Sequence, residues 1–184
     1  MQRRLPSQVE NFALLPRLRA WECGVILALN RHAQTPFWKN VYAMTSRLGD
    51  GGLWAALALA LVLTGGQAGI DCVRHMLFAG TMALAVYALS KRCTGRQRPC
   101  VELRGLNLCV QPLDRYSFPS GHTLHAVVFT TVVLAYFPQL APALVPFVLL
   151  TALSRIALGL HYPSDVLGGA AIGAAVAALS FTFG

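Results

Sequence analysis

The chain has 184 residues, of which 55% are hydrophobic and only 12% are charged. Soluble domains average about 45–50% apolar and about 25% charged residues, so this composition argues against a soluble domain and favours a polytopic membrane protein. The formal net charge is +8, but the cations lie between apolar segments. That arrangement favours lipid headgroups or a phosphorylated substrate as partners and argues against nucleic acid.

The first 50 residues differ from the rest because charged side chains repeatedly interrupt their apolar positions. Their most apolar run, WECGVILALN at 21–30, has about ten residues, whereas a helix that spans a bilayer needs about 20. We therefore expect two amphipathic helices lying at the membrane interface, with a short spanning helix around residues 18–30 as the alternative. We assign residues 1–50 to this N-terminal amphipathic segment and residues 51–184 to a transmembrane core.

Four apolar segments of the core approach the length of a spanning helix, at about residues 72–90, 121–137, 142–160 and 165–183. A fifth, residues 53–63, spans only if it extends back through residues 47–52 or lies in a thinned part of the bilayer. The expected fold is an all-α, polytopic membrane helical bundle with about five to six transmembrane helices. Gly169 and Gly173 have a spacing suited to close helix packing, although a low-volume helix explains them nearly as well.

Counting the crossings places three polar clusters at one membrane face. The clusters are Lys91 with Arg98-Pro99, then Pro119-Ser120-Gly121-His122, then Ser154-Arg155 with His161 and Asp165. Ionisable groups are costly inside a bilayer, so clusters of them at its edge indicate a functional site. The alternative for Lys91, Arg98 and Arg155 is an ordinary role as topology determinants or snorkelling anchors.

His161 and Asp165 lie four residues apart with Pro163 between them. Because proline disfavours one continuous helix here, we expect a turn that brings the carboxylate back to the ring. A carboxylate that accepts from one imidazole nitrogen fixes the tautomer and leaves the other nitrogen free to attack phosphorus. Taken alone, such a pair is more often a helix-end cap beside an interfacial histidine.

The run PSGH at 119–122 is typical of a helix start. Ser120 is suited to cap the helix, and Gly121 allows a phosphate oxygen to approach the free amides at the helix start. His122 would then protonate the leaving alkoxide as a general acid. Without the other clusters, this run is an ordinary helix start.

Together, the three clusters resemble the signature of the type 2 phosphatidic acid phosphatase family. That signature is a Lys, six residues, then Arg-Pro; later Pro-Ser-Gly-His; later Ser-Arg, five residues, His, three residues, Asp. The chain matches it without departure between residues 91 and 165, and the first 50 residues carry no part of it. Each block alone is a weak signal, but the conjunction is highly specific.

The resemblance implies a role for each matched residue. His161 would be the nucleophile, Asp165 its orienting partner and His122 the general acid. Phosphate would be bound by Lys91, Arg98, Ser120, Gly121 and Arg155. The resemblance implies no metal and no other cofactor, since the cations and helix amides would take the place of a metal.

The family also contains soluble acid phosphatases and vanadate-dependent haloperoxidases, so fold alone does not fix the reaction. The membrane composition favours the integral lipid-phosphate branch. Its bacterial members dephosphorylate phosphatidylglycerol phosphate, phosphatidic acid or undecaprenyl diphosphate. A phospholipid or polyprenyl phosphate is thus the expected substrate, with membrane lipids as the surroundings. A phosphotransferase between lipids and an inactive lipid-binding protein are the alternatives, and the oligomeric state is left open.

The side of the membrane that holds the clusters is not fixed by the sequence. Most cations fall on the face of the clusters, which by charge counting would make it cytoplasmic. Family analogy favours the periplasmic face of the inner membrane instead. A disulfide between Cys100 and Cys109 would support the periplasm, although free thiols explain these cysteines equally well.

Overall fold

The computed structural model describes residues 14–103, 105, 106, 112 and 114–183. All regular structure in these residues is helical, in agreement with the all-α prediction. The elements are α1 (Leu14–His32), α2 (Pro36–Arg47), a π-helical turn (Leu48–Gly52), α3 (Leu53–Thr64), α4 (Gly66–Thr94), α5 (Pro99–Glu102), α6 (Gly121–Tyr136), a 3-10 turn (Pro138–Leu140), α7 (Ala141–Ala157) and α8 (Pro163–Ser180). The possible disulfide lies outside the described residues, because Cys109 is not among them.

Four helical stretches of the described chain are long and apolar enough to cross a membrane: Pro36–Thr64, Gly66–Glu102, Pro138–Ala157 and Pro163–Ser180. Gly121–Tyr136 is a shorter apolar helix. The π-helical turn joins α2 to α3, so the short segment 53–63 does extend back through residues 47–52. The division at residue 50 falls inside this turn and stays a prediction.

The centre of the bundle is α6, which packs against α4, α7 and α8. Where α8 crosses it, a Cβ atom on Gly169 would lie 2.6 Å from the carbonyl oxygen of Ser120. A Cβ atom on Gly173 would lie 2.6 Å from that of Leu124. Neither position has room for a side chain, which confirms that this glycine pair permits close helix packing.

The two ends of the bundle carry separate polar groups. At one end, where α4 and α7 finish and α6 and α8 begin, the Ser120 amide donates to the carbonyl oxygen of Asp165 at 3.0 Å. At the other end, His75 contacts the hydroxyl groups of Tyr136 at 3.3 Å and Ser180 at 2.8 Å. The three sequence clusters therefore meet at the first end, as counting the crossings predicted.

Candidate active site

His161 lies in the buried connection between α7 and α8, and two neighbours determine its tautomer. Nδ1 lies 2.6 Å from the carbonyl oxygen of Ser117, which only accepts, so Nδ1 carries the proton. Nε2 lies 3.0 Å from Nη1 of Arg98, which only donates, so Nε2 presents its lone pair. Burial and the charges of Arg155 and Arg98 hold the pKa of His161 well below 6.5. The ring is therefore neutral at pH 7, as a nitrogen nucleophile requires.

Asp165 does not make the direct hydrogen bond to His161 that we expected. Its Oδ2 lies 3.8 Å from Nδ1, a distance for electrostatic contact, because Nδ1 donates its hydrogen bond to the Ser117 carbonyl oxygen. Oδ2 instead accepts from the backbone amide of Tyr162 at 2.8 Å. The carboxylate thus caps the N-terminus of α8. It also places a negative charge beside the imidazole without a hydrogen bond to it.

Lys91 and Arg98 meet at one carboxylate, Asp114. The ammonium group of Lys91 donates to Oδ1 of Asp114 and to the carbonyl oxygen of Tyr116. Nη2 of Arg98 donates to the same Oδ1 at 2.8 Å, and its Nε donates to the Asp114 carbonyl oxygen at 2.9 Å. Burial alone would raise the pKa of Asp114, but Lys91, Tyr87 and Arg98 together hold it below the usual range. This ionised carboxylate fixes both cations beside His161.

Arg155 is 3% exposed and is held by a residue far away in the sequence. Its Nη1 donates to the hydroxyl oxygen of Ser46 on α2 at 2.5 Å. Its Nε is buried and has no hydrogen-bond partner among the described residues. A buried guanidinium with a free donor is suited to bind a non-bridging phosphate oxygen.

The PSGH run forms the start of α6, but its contacts differ from a simple cap. Ser120 is the N-cap residue, yet its hydroxyl bonds to that of Thr123 at 3.0 Å and makes no capping bond. A Cβ atom on Gly121 would lie 2.7 Å from the ring of Tyr87, so glycine is needed there for packing as well. His122 follows on the first turn of the helix.

Two cavities adjoin this helix start. One of about 250 Å³ contains the ring of His122 and is lined by Gly49, Asp50, Gly51, Trp54, Tyr87, Gly121, His125 and Phe129. The other, of about 370 Å³, is mostly apolar and is lined by α3, α4 and α6. They share Trp54, His125 and Phe129, so an apolar groove leads to the polar site.

The family model of the PAP2 superfamily matches residues 73–184, which contain every signature residue. The chain belongs to the PAP2 superfamily. Among its PAP2 relatives is a decaprenylphosphoryl-5-phosphoribose phosphatase of Mycobacterium tuberculosis, 39% identical over 58% of this chain and 59% of that protein. The undecaprenyl-diphosphatase BcrC of Bacillus subtilis is 33% identical over 71% of this chain and 67% of that protein. The chain thus spans less than two thirds of the length of the first of these relatives.

Two solved PAP2 structures share the architecture. LpxE of Aquifex aeolicus is 27% identical, with a TM-score of 0.71 over 95% of this chain and 98% of that one. A transmembrane PAP2-type phosphatidylglycerolphosphate phosphatase from Bacillus subtilis has the same TM-score at 20% identity, which bears on the fold alone. With the apolar helices described above, these matches identify the chain as a multi-pass membrane protein.

One PAP2 signature residue, Asp165, depends on a pair of side chains that the sequence analysis did not single out. Nη1 of Arg96 donates to Oδ1 of Asp165 at 2.7 Å, and its Nη2 donates to Glu22 on α1 at 2.9 Å. Glu22 also accepts from the backbone amide of Ser164 at 2.9 Å, at the start of α8. A network of buried charges therefore links α1 to the helix that carries Asp165.

Proposed function

We propose that this PAP2 protein is an integral membrane phosphatase that hydrolyses a lipid phosphomonoester or diphosphate through a phosphohistidine intermediate. The observation that carries the proposal is the state of His161. Ser117 and Arg98 hold the neutral ring with its Nε2 lone pair beside a cation cluster. Such an arrangement supplies a nitrogen nucleophile and charge stabilisation for phosphoryl transfer at the same place.

In the first step, Nε2 of His161 attacks phosphorus and forms a P–N bond. The P–O bond to the lipid breaks, and His122 protonates the leaving oxygen, which takes the bonding electron pair. Arg98 shifts its Nη1 donor from Nε2 to a phosphate oxygen, where Lys91 and Arg155 also bind. Asp165, 3.8 Å from Nδ1, stabilises the positive charge that the ring acquires.

In the second step, water attacks the phosphohistidine. His122 takes a proton from that water, the P–N bond breaks, and its electron pair returns to Nε2 of His161. Inorganic phosphate leaves and both histidines regain their starting protonation states. No step needs a group beyond the side chains of this chain and a water molecule.

A lipid substrate is supported by the apolar groove that adjoins the His122 cavity. The groove lies between α3 and α4, where an acyl or prenyl chain would bury apolar surface while its phosphate reaches the cations. The relatives named above are a decaprenylphosphoryl-5-phosphoribose phosphatase and an undecaprenyl-diphosphatase, and a lipid A 1-phosphatase of Rhizobium johnstonii is 32% identical over 54% of this chain and 41% of that protein. The candidate substrates remain phosphatidylglycerol phosphate, phosphatidic acid and polyprenyl phosphates.

The test is phosphate release by the purified full chain in detergent, with each candidate lipid, in the presence of EDTA. Wild-type turnover that is lost in His161→Ala and inhibited by vanadate supports the proposal, because vanadate mimics five-coordinate phosphorus. Activity that EDTA abolishes and magnesium restores would contradict the site as drawn. Phosphate release only when an acceptor lipid is added would indicate a phosphotransferase. Binding of lipid without any turnover would indicate an inactive lipid-binding protein.

We propose further that the chain lies in the inner membrane with its active site at the periplasmic face. Cys93 offers a test, because it is exposed and lies two residues after Lys91 at the active-site end of α4. A variant that keeps Cys93 as its single cysteine should react with a membrane-impermeant maleimide in intact cells. Labelling only after the cells are broken would place the site at the cytoplasmic face.

A further inference from the structure

The general-acid candidate His122 has an acidic partner that the family signature does not contain. Its Nε2 lies 2.5 Å from Oδ1 of Asp50, in the π-helical turn between α2 and α3. Because an ionised carboxylate only accepts, Nε2 carries a proton in this contact. Nδ1 of His122 has no hydrogen-bond partner among the residues that the structure describes, and the ring lines the cavity of about 250 Å³.

The sequence LGDGG at 48–52 builds the turn that brings this carboxylate to the histidine. A Cβ atom on Gly49 would lie 3.2 Å from Cδ2 of His122, tighter than an ordinary van der Waals contact. Gly51 has a φ of 124°, which residues with a side chain rarely adopt. The two glycines therefore permit the close approach and the kink that leave Asp50 in contact with His122 on α6. The turn is thus shaped around the His122 ring.

The charges around His122 oppose one another. Arg155 on α7 and His125 on α6 interact electrostatically with the ring of His122. Tyr87 lines the same cavity from α4. Burial of the ring and the positive charge of Arg155 both disfavour a doubly protonated imidazole. Asp50 is the carboxylate that faces the ring, and its charge attracts that form. A general acid beside a cationic phosphate site needs such a counter-charge to keep the proton it must donate.

We propose that Asp50 is the positioning residue of the general acid in this PAP2 site. Asp50 holds the ring through Nε2 and favours its doubly protonated form, so that the Nδ1 proton goes to the leaving oxygen. In the second step the neutral ring takes a proton from water back onto Nδ1. This inference rests on the proposed function, because it assigns the acid of that same reaction.

The test compares Asp50→Asn and Asp50→Glu with a matched control, Asp71→Asn. Asp71 is an exposed carboxylate that lies 20 residues before Lys91 on α4, about 30 Å away along the helix. In Asp50→Asn we expect kcat for a lipid alkyl phosphate to fall by about tenfold to a hundredfold, with a smaller loss for p-nitrophenyl phosphate, whose leaving group needs less protonation. The alkaline limb of the kcat profile should move to lower pH by about one unit, and Asp50→Glu should restore part of both properties.

A second readout needs no turnover. Histidine-labelled full chain in micelles is titrated by NMR, with the His122 signal identified by its loss in His122→Gln. In Asp50→Asn the His122 ring should titrate at lower pH than in the wild type and in Asp71→Asn. An unchanged titration, or equal losses of kcat on alkyl and aryl substrates with an unmoved alkaline limb, would overturn the inference. A wild-type chain without phosphatase activity would refute the proposed function instead, and the titration would still decide the pairing.

Discussion

The substitution Arg96→Ala tests whether the N-terminal helix supports the active site. Arg96 lies between two buried carboxylates, since the side chain of Glu22 is 3% exposed and that of Asp165 is fully buried. Removing one partner of a buried ion pair costs about 3–5 kcal/mol, because the remaining charge is left without its counter-ion. Two features of the network favour the lower end of that range. The Arg96 side chain is itself 31% exposed, and each carboxylate keeps a backbone amide donor.

We therefore expect Arg96→Ala to lower the free energy of unfolding by about 3 kcal/mol. For a chain of this size, about 2–4 °C per kcal/mol corresponds to a fall in Tm of about 6–12 °C. The assay is the fraction of protein that still elutes as a single size-exclusion peak in detergent after heating. The Tm of Arg96→Lys should lie between those of the wild type and Arg96→Ala, because one ammonium group cannot reach both carboxylates in the planar geometry of a guanidinium.

The matched control is Arg92→Ala, in the last turn of α4 and four residues before Arg96. Arg92 is exposed and has no hydrogen-bond or ion-pair partner among the described residues. Its removal should change Tm by no more than about 1–2 °C, as expected for a surface substitution. If Arg96→Ala and Arg92→Ala have the same Tm, the network through Glu22 does not stabilise the site.

The remaining predictions concern catalysis. His161→Ala should remove essentially all turnover, whereas His122→Ala should keep more activity on aryl phosphates and diphosphates than on alkyl phosphates; equal damage on all substrates would refute the general-acid role. Asp165→Asn should lower kcat by about a hundredfold with little change in KM, and near-normal turnover would reduce Asp165 to a helix N-terminal residue. Arg155→Ala should raise KM as it lowers kcat, because its guanidinium would contact phosphate in both the ground and transition states. Since burial holds the pKa of His161 well below 6.5, the ring stays neutral as pH falls through 6.5, and the acidic limb of kcat/KM that it sets should lie below that pH. In an unfolded chain the ring takes up a proton near pH 6.5. The contribution of His161 to stability should therefore decrease as pH falls from 6.5 to the lower pKa of the folded state.

The fold and the signature residues could be predicted because both leave a linear trace in the sequence. Apolar runs separated by polar clusters predicted the helical bundle. The number of crossings predicted that the three clusters lie at one membrane face. The ends of the helices were harder. The segment predicted at 72–90 begins too late, because α4 begins at Gly66. Gln67 and Asp71 lay outside the predicted segment, but they belong to an exposed helix start in which Gln67 and Arg74 both donate to Asp71.

The contacts that complete the site could not be predicted, because they join residues far apart in sequence or involve the backbone. Ser117 acts through its carbonyl oxygen, which no side-chain pattern reveals. Arg96 was not singled out, since its partner Glu22 lies 74 residues away in the sequence. Asp114 could have been suspected as a lone carboxylate in a cationic connection. Asp50 was hidden in a glycine-rich run that had drawn attention only as the possible extension of a short helix.

If His161 carries the phosphoryl group during turnover, the phosphohistidine can be trapped and located. Full-length protein is mixed with a lipid substrate labelled at the phosphate, quenched within milliseconds in alkali, and digested for mass spectrometry. We expect a label that is stable in alkali, labile in acid, and located on His161. His161→Ala should carry none, and His122→Ala should still accept the label from an aryl phosphate. A label on any other residue, or wild-type turnover with no labelled protein at any quench time, would show that His161 is not the nucleophile.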